Sequence, residues 1–183
     1  MRGFLIGRFQ PFHNGHLSVV EQIVTEVDEL VLGIGSAGDS HSESDPFTAG
    51  ERIMMITKTL DAFDVVTYVV PIEDLERHAV WVSHVKSMCP DFDIAYSNNP
   101  LVIRLFEESG VEVRQSPMYN RDILKGEAIR QQMIEGDGWR AQVPDPVAEV
   151  IDEIDGVSRI RRVSQTDRWG TDTDALNRDH AQQ

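Results

Sequence analysis

The stretch that decides the fold is Gly7-Arg8-Phe9-Gln10-Pro11-Phe12-His13-Asn14-Gly15-His16-Leu17, which directly follows the apolar run Phe4-Leu5-Ile6. Two histidines flank an Asn-Gly pair, and the apolar residues beyond them recur at helical spacing. The pattern predicts a buried strand, a tight loop and a helix whose first turn carries His16. Backbone N–H groups at a helix start lack partners within the helix, and the helix dipole is positive there, so this junction suits an anion.

Strand-like and helix-like segments alternate along the rest of the chain. Strands are predicted at 1–8, 29–36, 65–71, 92–97 and 111–115, and helices at 17–27, 49–62, 78–88, 100–108, 127–135 and 145–154. Thr48 is placed to cap a helix, Pro100 to begin one, and Gly110 and Gly156 to end one. The alternation predicts an α/β protein with a doubly wound (Rossmann-like), parallel five-stranded sheet, helices on both faces and a small C-terminal helical part.

The length of 183 residues fits one domain, which we place at residues 1–163. Residues 164–183 are polar and rich in Asp, Thr and Gln, so we expect a disordered tail in which Trp169 is the residue suited to docking. No long apolar run and no signal-peptide pattern is present, and Cys89 has no partner for a disulfide. These features predict a cytoplasmic protein without a membrane segment.

The chain is strongly acidic, with 31 Asp and Glu against 17 Lys and Arg and a formal net charge of −14. This balance argues against nucleic-acid binding, which requires a basic face. Few lysines among many carboxylates are typical of proteins from salt-accumulating halophiles, and we expect the fold to require molar salt. A polyanionic substrate would then need a local positive recess inside the acidic surface. The residues predicted to form it are Arg8, His13, His16, Arg52 and Arg130.

The opening stretch resembles the signature of the nucleotidyltransferase superfamily with a His-x-Gly-His motif, and residues 1–163 resemble the archaeal nicotinamide-nucleotide (NMN) adenylyltransferases. The resemblance extends to segments that occur in the family's order. They are Gly33-Ile34-Gly35-Ser36-Ala37, Ser40-His41, Asp45 to Arg52, Val80-Trp81-Val82, Tyr96 to Val102, and Glu127-Ala128-Ile129-Arg130. The resemblance implies transfer of the adenylyl group of ATP to NMN, giving NAD and pyrophosphate.

The NMN phosphate is already anionic at neutral pH, so the reaction needs no general base and depends on positioning and charge neutralisation. The resemblance implies that His16 contacts the α-phosphate, that His13 contacts the phosphate chain, and that Arg52 and Arg130 grip the β- and γ-phosphates. These four residues are the predicted catalytic set. Planar guanidinium groups suit phosphate oxygens. The other residues predicted to bind ATP are Gly7, Arg8, Phe9, Asn98, Asn99 and Pro100.

The resemblance also implies where NMN binds. Trp81 would stack on the nicotinamide ring, which is favourable by about 0.5–2 kcal/mol, although a Trp on an apolar helix face is more often a core residue. The other residues predicted to bind NMN are Gly33, Ser36, Ala37 and His41. His41 could equally be a solvent-exposed loop residue, His78 replaces the family's usual Asn, and His84 is predicted to be structural.

The resemblance implies Mg²⁺ held mainly by substrate phosphates and water, without a dedicated protein site. It also implies a homo-oligomer, with a hexamer expected. One departure from the family stands before Arg130, where Lys125 and Glu127 replace a Ser-x-Thr pair. Glu127 beside a triphosphate is unfavourable unless it pairs with a cation or turns to solvent.

Two alternatives stay open from the sequence. The chain could be another adenylyl- or cytidylyltransferase of the same superfamily, acting on pantetheine phosphate, FMN or a polyol phosphate. Alternatively, the altered Lys125 to Glu127 stretch could mark a nucleotide-binding regulatory module with little turnover. The sequence also leaves open whether nicotinic acid mononucleotide is accepted.

Overall fold

The computed structural model describes residues 1–115, 125–136 and 138–166. Its centre is a five-stranded, all-parallel sheet in the order β3-β2-β1-β4-β5. The strands are β1 (Arg2–Gly7), β2 (Glu29–Ile34), β3 (Val66–Pro71), β4 (Ile94–Tyr96) and β5 (Glu112–Arg114). The predicted doubly wound α/β architecture is confirmed. Because the chain order reverses at β1, the carboxyl ends of β1, β2 and β4 lie side by side, where such sheets bind ligands.

Helices cover both faces of the sheet. They are α1 (Asn14–Ile23), α2 (Ala49–Leu60), α3 (Trp81–Met88), α4 (Pro100–Glu108), α5 (Gly126–Glu135) and α6 (Asp145–Glu153), followed by α7, described over 156–166. One core joins the sheet to α1, α2, α5, α6 and α7, with Val20, Met55 and Ile151 among its buried residues. A smaller core joins the other face to α3 and α4 through residues such as Phe4 and Phe106.

Helix ends follow the predicted caps in most places. Thr48 and Glu51 form a reciprocal capping box at the start of α2. Pro100 is the first residue of α4, and Gly110 after that helix has φ 73°, a left-handed conformation that favours glycine. Short 3-10 turns at His78–Val80 and Gly138–Gln142 were not distinguished in the sequence.

The C-terminal part differs from the sequence prediction. Gly156 does not close a helix, because Asp155 turns the chain at φ 52° and Gly156 begins α7. A Cβ at Gly156 would lie 2.9 Å from the Phe47 ring, so close packing explains this glycine. The helix continues through the predicted domain boundary at 164, and Ser164 is buried. The rest of the predicted tail, with Trp169 and His180, lies outside the described residues. Within the described ranges, no helix combines the length and apolar character needed to cross a bilayer.

Candidate active site

A cavity of about 410 Å³ opens where β1 ends and α1 and α5 begin. Its walls come from the loop after β1 and from the first turns of both helices. The lining residues are Arg8, Phe9, Gln10, Pro11, His13, His16, Lys125, Gly126, Glu127 and Arg130. Two helix N-termini therefore converge on one recess, together with two arginines and a lysine. This arrangement favours an anionic ligand.

The two histidines cap the helix that carries them. His13 is the N-cap of α1, and its Nδ1 accepts a hydrogen bond from the His16 N–H at 3.4 Å. His16 Nδ1 in turn accepts from the His13 N–H at 3.3 Å, and the rings stack with centroids 3.6 Å apart. Because each Nδ1 is an acceptor, the proton of each neutral ring is assigned to Nε2. Both rings therefore carry an N–H donor on the nitrogen that capping leaves unused.

Burial keeps both imidazoles neutral. Desolvation lowers the pKa of His13 from 6.5 to about 4. Desolvation also lowers the pKa of His16 well below its usual value, and the neighbouring His13 lowers it further. The sequence analysis counted His13 and His16 among the residues of a positive recess, but with these lowered pKa values neither ring is charged at neutral pH in the protein without ligand. The histidines supply hydrogen-bond donors to the cavity, and its positive charge comes from arginine and lysine.

Arg130 lies in the second turn of α5 and is buried, with 8% of its surface exposed. Its Nε donates to the Glu43 carbonyl at 3.0 Å and its Nη1 to the Gln10 carbonyl at 2.9 Å. Its Nη2 has no hydrogen-bond acceptor among the described residues. The start of α5 lies close to the Arg130 guanidinium because Gly126 lacks a side chain. An added Cβ would lie 3.2 Å from Arg130 Nη1. The sequence prediction placed Arg130 in the recess but gave no role to Gly126.

Arg52 is not part of the cavity wall. Its side chain is completely buried, and all three guanidinium nitrogens donate to backbone carbonyls. The acceptors are Arg8 and Gly35 (2.8 and 2.9 Å from Nη1), Ser36 and Asp39 (3.0 and 3.5 Å from Nη2), and Thr48 (3.3 Å from Nε). The predicted grip on β- and γ-phosphates does not fit this placement, because the donors that would bind phosphate are already used. Sequence alone could not separate a buried arginine from an exposed one.

The loops joined by Arg52 contain three residues in left-handed backbone conformations, among them His41 with φ 58° in the loop after β2. Phe9 follows β1 with φ 51°, and Ser36 follows β2 with φ 48°. Non-glycine residues hold such conformations only where the surroundings impose them, and they concentrate at functional sites. Gly7 is required here because a Cβ would lie 2.9 Å from the Phe9 ring. Arg52 thus fixes the loop after β1 against the turn after β2.

Two further polar residues shape this region and were missed in the sequence. The Gln10 side chain pairs with the Phe47 backbone in both directions, at 2.9 and 3.0 Å. Asp45 is buried, and its Oδ1 lies 3.5 Å from Arg8 Nη1. The signal that could have found them is that each directly precedes a Pro-Phe pair inside a segment of the family resemblance.

The residues predicted for NMN lie at the carboxyl end of β2 and beyond it. Gly33 is in the strand, where a Cβ would lie 2.8 Å from Ile72. The Ser36 N–H donates to Asp74 Oδ1 at 3.3 Å, and the Ala37 N–H donates to the Ile72 carbonyl at 3.1 Å. This turn is thereby joined to the segment after β3 that leads to Trp81.

Trp81 and His41 both lie outside the cavity at the start of α1. Trp81 is half-buried at the start of α3 and packs edge-on against Phe106, with ring centroids 5.5 Å apart. Its contacts are those of the smaller core, as the structural interpretation of this Trp predicted. His41 is exposed and lines a different cavity of about 360 Å³ with Asp155 and residues of α7. Neither residue lines the cavity around His13 and His16.

The predicted adenine-side residues lie after β4, the strand that pairs with β1. Asn99 caps α4, its Oδ1 accepting from the Leu101 N–H at 2.9 Å. Asn98 is half-buried, and Pro100 is exposed. Asn99 thus has a structural role whether or not ATP binds beside it.

Lys125 and Glu127 both line the cavity around His13 and His16 and are exposed. Glu127 and Arg130 also line an adjoining cavity of about 370 Å³ with Glu43, Ser44 and Gln131. The departure from the family pattern therefore lies in the wall of the site. The first turn of α5 carries the Glu127 carboxylate, whereas the family's Ser-x-Thr pair would offer hydroxyl groups to an anion there.

Comparison with known proteins identifies the family of the chain. The cytidylyltransferase-like family model matches residues 4–135. A nicotinamide-nucleotide adenylyltransferase of Halobacterium salinarum is 70% identical over 172 residues, covering 94% of this chain and 97% of the relative. Relatives with the same name from Halorubrum lacusprofundi and Methanothrix thermoacetophila are 68% and 58% identical, covering 93% and 91% of this chain and 97% and 98% of theirs.

Solved structures show the same fold. A bifunctional NMN adenylyltransferase/ADP ribose pyrophosphatase from Francisella tularensis, complexed with AMP and a Mn ion, superposes with a TM-score of 0.75 at 18% identity. The match covers 96% of this chain and 55% of that one. A putative nicotinate-nucleotide adenylyltransferase from Vibrio parahaemolyticus gives 0.62 at 16% identity, covering 86% of this chain and 94% of that one.

The match over residues 4–135 shows that the chain belongs to the cytidylyltransferase-like family. Within it, the chain falls in the group of archaeal nicotinamide-nucleotide adenylyltransferases, as the resemblance predicted.

Proposed function

We propose that the protein transfers the adenylyl group of ATP to the phosphate of NMN, forming NAD and releasing pyrophosphate. The observation that carries the proposal is the joining of His13, His16, Arg8 and Arg130 in one recess at two helix N-termini. The high identity to relatives named for this reaction supports the choice of substrates.

The geometry suits a reaction driven by positioning. An oxygen of the NMN phosphate attacks the α-phosphorus of ATP as the bond to the β-phosphate oxygen breaks, and pyrophosphate leaves. Negative charge grows on the leaving group. The His16 and His13 Nε2–H groups donate to the α-phosphate and its neighbour, and Arg130 Nη2, Arg8 and the first N–H groups of α5 receive the remaining phosphates. Preformed donors in a partly buried site need little reorganisation during the reaction.

Arg52 receives a different role from the one its sequence position suggested. We assign it as a positioning residue that holds the loop after β1 against the turn after β2, so that the phosphate and nicotinamide sides keep a fixed separation. Gly33, Ser36, Ala37 and Trp81 remain the proposed NMN residues, and Asn98, Asn99 and Pro100 the proposed adenine-side residues. His41 would join them only through movement of its loop.

Mg²⁺ would enter with ATP, bound by phosphate oxygens and water, and would offset charge on the phosphates. Among the described residues that line the cavity, Glu127 is the one carboxylate. The protein therefore offers too few ligands to bind the ion by itself, which fits an ion coordinated mainly by phosphate and water. A homo-hexamer is the proposed assembly, and size-exclusion chromatography in molar KCl tests it.

The direct test is to incubate the purified chain in molar KCl with ATP, MgCl₂ and NMN and to follow NAD by a coupled absorbance assay. NAD and pyrophosphate in equal amounts support the proposal. Turnover only with pantetheine phosphate, FMN or a polyol phosphate would assign another member of the superfamily. Binding of ATP and NMN without pyrophosphate release would indicate a regulatory module. Parallel assays with nicotinic acid mononucleotide measure the base preference.

A further inference from the structure

Next to the cavity lined by His13, His16 and Arg130, the Asp45 carboxylate is close to Arg8 and acts electrostatically on Arg52 and Arg130. Asp45 is 6% exposed, and Arg52 and Arg130 are buried with it. Its Oδ1 lies 3.5 Å from Nη1 of Arg8, whose side chain is half exposed at the cavity wall. The charge of Asp45 also favours the cationic forms of Arg52 and Arg130, where it raises the pKa against the lowering caused by burial.

Hydrogen bonds hold Asp45 in place, so its carboxylate stays where it is if Arg8 moves. Its backbone N–H donates to Ser42 Oγ at 3.0 Å, and its Oδ2 accepts from Ser44 Oγ at 2.7 Å. The next two residues are fixed as well, because the Pro46 carbonyl accepts from Arg159 and the Phe47 backbone pairs with Gln10. The carboxylate is therefore held in place beside an arginine whose side chain is exposed.

The contact between Asp45 and Arg8 is incomplete. Asp45 Oδ1 is buried and has no hydrogen-bond partner among the described residues. At 3.5 Å the pair is an electrostatic contact without the short, aligned geometry of a strong charged hydrogen bond. An arginine held in this way can turn toward a phosphate at little cost, while the carboxylate behind it opposes the phosphate's negative charge.

We propose that Asp45 is the fixed counter-ion of the arginine cluster: it keeps Arg8 at the cavity wall and limits how tightly the cavity holds a polyphosphate. This proposal rests on the proposed function, in which pyrophosphate is the product that must leave. Asp45 is thus a positioning residue. Its negative charge weakens binding of the phosphate chain and thereby speeds release of pyrophosphate.

The test compares inorganic pyrophosphate binding by titration calorimetry for the wild type and Asp45→Asn at one KCl concentration. Removal of a buried negative charge near the phosphates should tighten binding about fivefold. It should also lower kcat and the ATP KM together, as slower product release requires. Asp64→Asn removes a charge from an exposed side chain between α2 and β3 and should leave pyrophosphate affinity unchanged. A purely structural role for Asp45 predicts weaker or unchanged binding in the folded variant, and that result overturns the proposal.

A second variant and a spectroscopic measurement cover the case in which Asp45→Asn does not fold. Asp45→Ser also removes the charge, with a smaller side chain, and carries the same expectation. In the wild type, the Arg8 side-chain NMR resonance should shift when pyrophosphate is added, and an unmoved resonance contradicts the proposal. If the wild type forms no NAD while these binding results hold, the proposed function fails and the counter-ion role stands.

Discussion

His13 and His16 hold each other in place: their rings stack 3.6 Å apart, and each Nδ1 accepts the other residue's backbone N–H. Capping a helix and presenting a donor to a ligand are thus done by the same two side chains. The helix start fixes the tautomer, and the tautomer leaves the Nε2–H of each ring as the donor available to a ligand.

This pairing predicts neutral histidines in the protein without ligand. Long-range ¹H–¹⁵N spectra at pH 7 should show both rings as Nε2–H tautomers, and His13 should titrate with a pKa of about 4. Bound pyrophosphate should raise that pKa, because an anion favours the charged ring. His84 lies on α3, outside the cavity, so added pyrophosphate should leave its resonances unchanged. An Nδ1–H tautomer for either ring would contradict the capping geometry.

The lowered pKa also predicts how stability changes with pH. The folded pKa of His13 is below the unfolded value of 6.5, so the unfolded chain binds more protons between these values. The contribution is fully present above pH 6.5 and is lost as pH falls through about 4, which amounts to about 3 kcal/mol for this one group. His13→Asn, whose amide can also cap a helix, should reduce the acid dependence in urea unfolding series at pH 7 and pH 5. An unchanged dependence would show that His13 is not the group responsible.

Arg52 should behave as a structural clamp whose loss also affects catalysis. Arg52→Lys loses most of its backbone hydrogen bonds and should lower the free energy of unfolding by about 2–4 kcal/mol. The KM values for ATP and NMN should both rise, since both loops lose their common support. Arg104→Lys, in an exposed pair with Glu108, should cost less than about 1 kcal/mol. A stable Arg52→Lys with a raised KM for ATP alone would restore the phosphate-gripping role.

The departure at the start of α5 should weaken ATP binding. The double variant Lys125→Ser, Glu127→Thr removes a carboxylate from the cavity wall and restores hydroxyl groups at a helix N-terminus. We expect its ATP KM to be about two- to fivefold lower than that of the wild type. Lys58→Ser with Glu153→Thr makes the same replacements in an exposed pair on α2 and α6 and should leave KM unchanged. Equal or weaker use of ATP by the first variant would refute the idea.

The acidic composition predicts stabilisation by salt. With a net charge of −14, self-repulsion should fall as KCl shortens the screening length to about 3 Å near 1 M. The melting temperature should rise from millimolar to molar KCl, as calorimetry can measure. A flat or falling melting temperature would contradict the halophilic interpretation.

Much of the fold could be predicted from local patterns. Strand and helix alternation gave the parallel sheet, and Pro100 and Gly110 marked the ends of α4, because these features depend on neighbours along the chain. Gly156 was misread because a glycine that ends a helix and one that permits close packing look the same in sequence. Only the position of the Phe47 ring decides between them.

The site was predictable where residue type alone sets the chemistry. His13, His16 and Arg130 were placed in one recess, and they share one. Arg52 was assigned to phosphate because sequence does not report burial or which carbonyls surround a guanidinium. The neutral state of the histidines also depends on desolvation, which arises only when the loop after β1 and α5 close around them.

The measurement that tests the central claim most directly is the single-turnover rate of NAD formation by His16→Ala at saturating ATP and NMN. We predict a loss of about 10²–10³-fold in that rate with the cavity still binding nucleotide, because one preformed donor to the reacting phosphate is removed. His84→Ala, on the opposite face of the sheet, should keep the wild-type rate. A His16→Ala rate within a few-fold of the wild type would contradict the account.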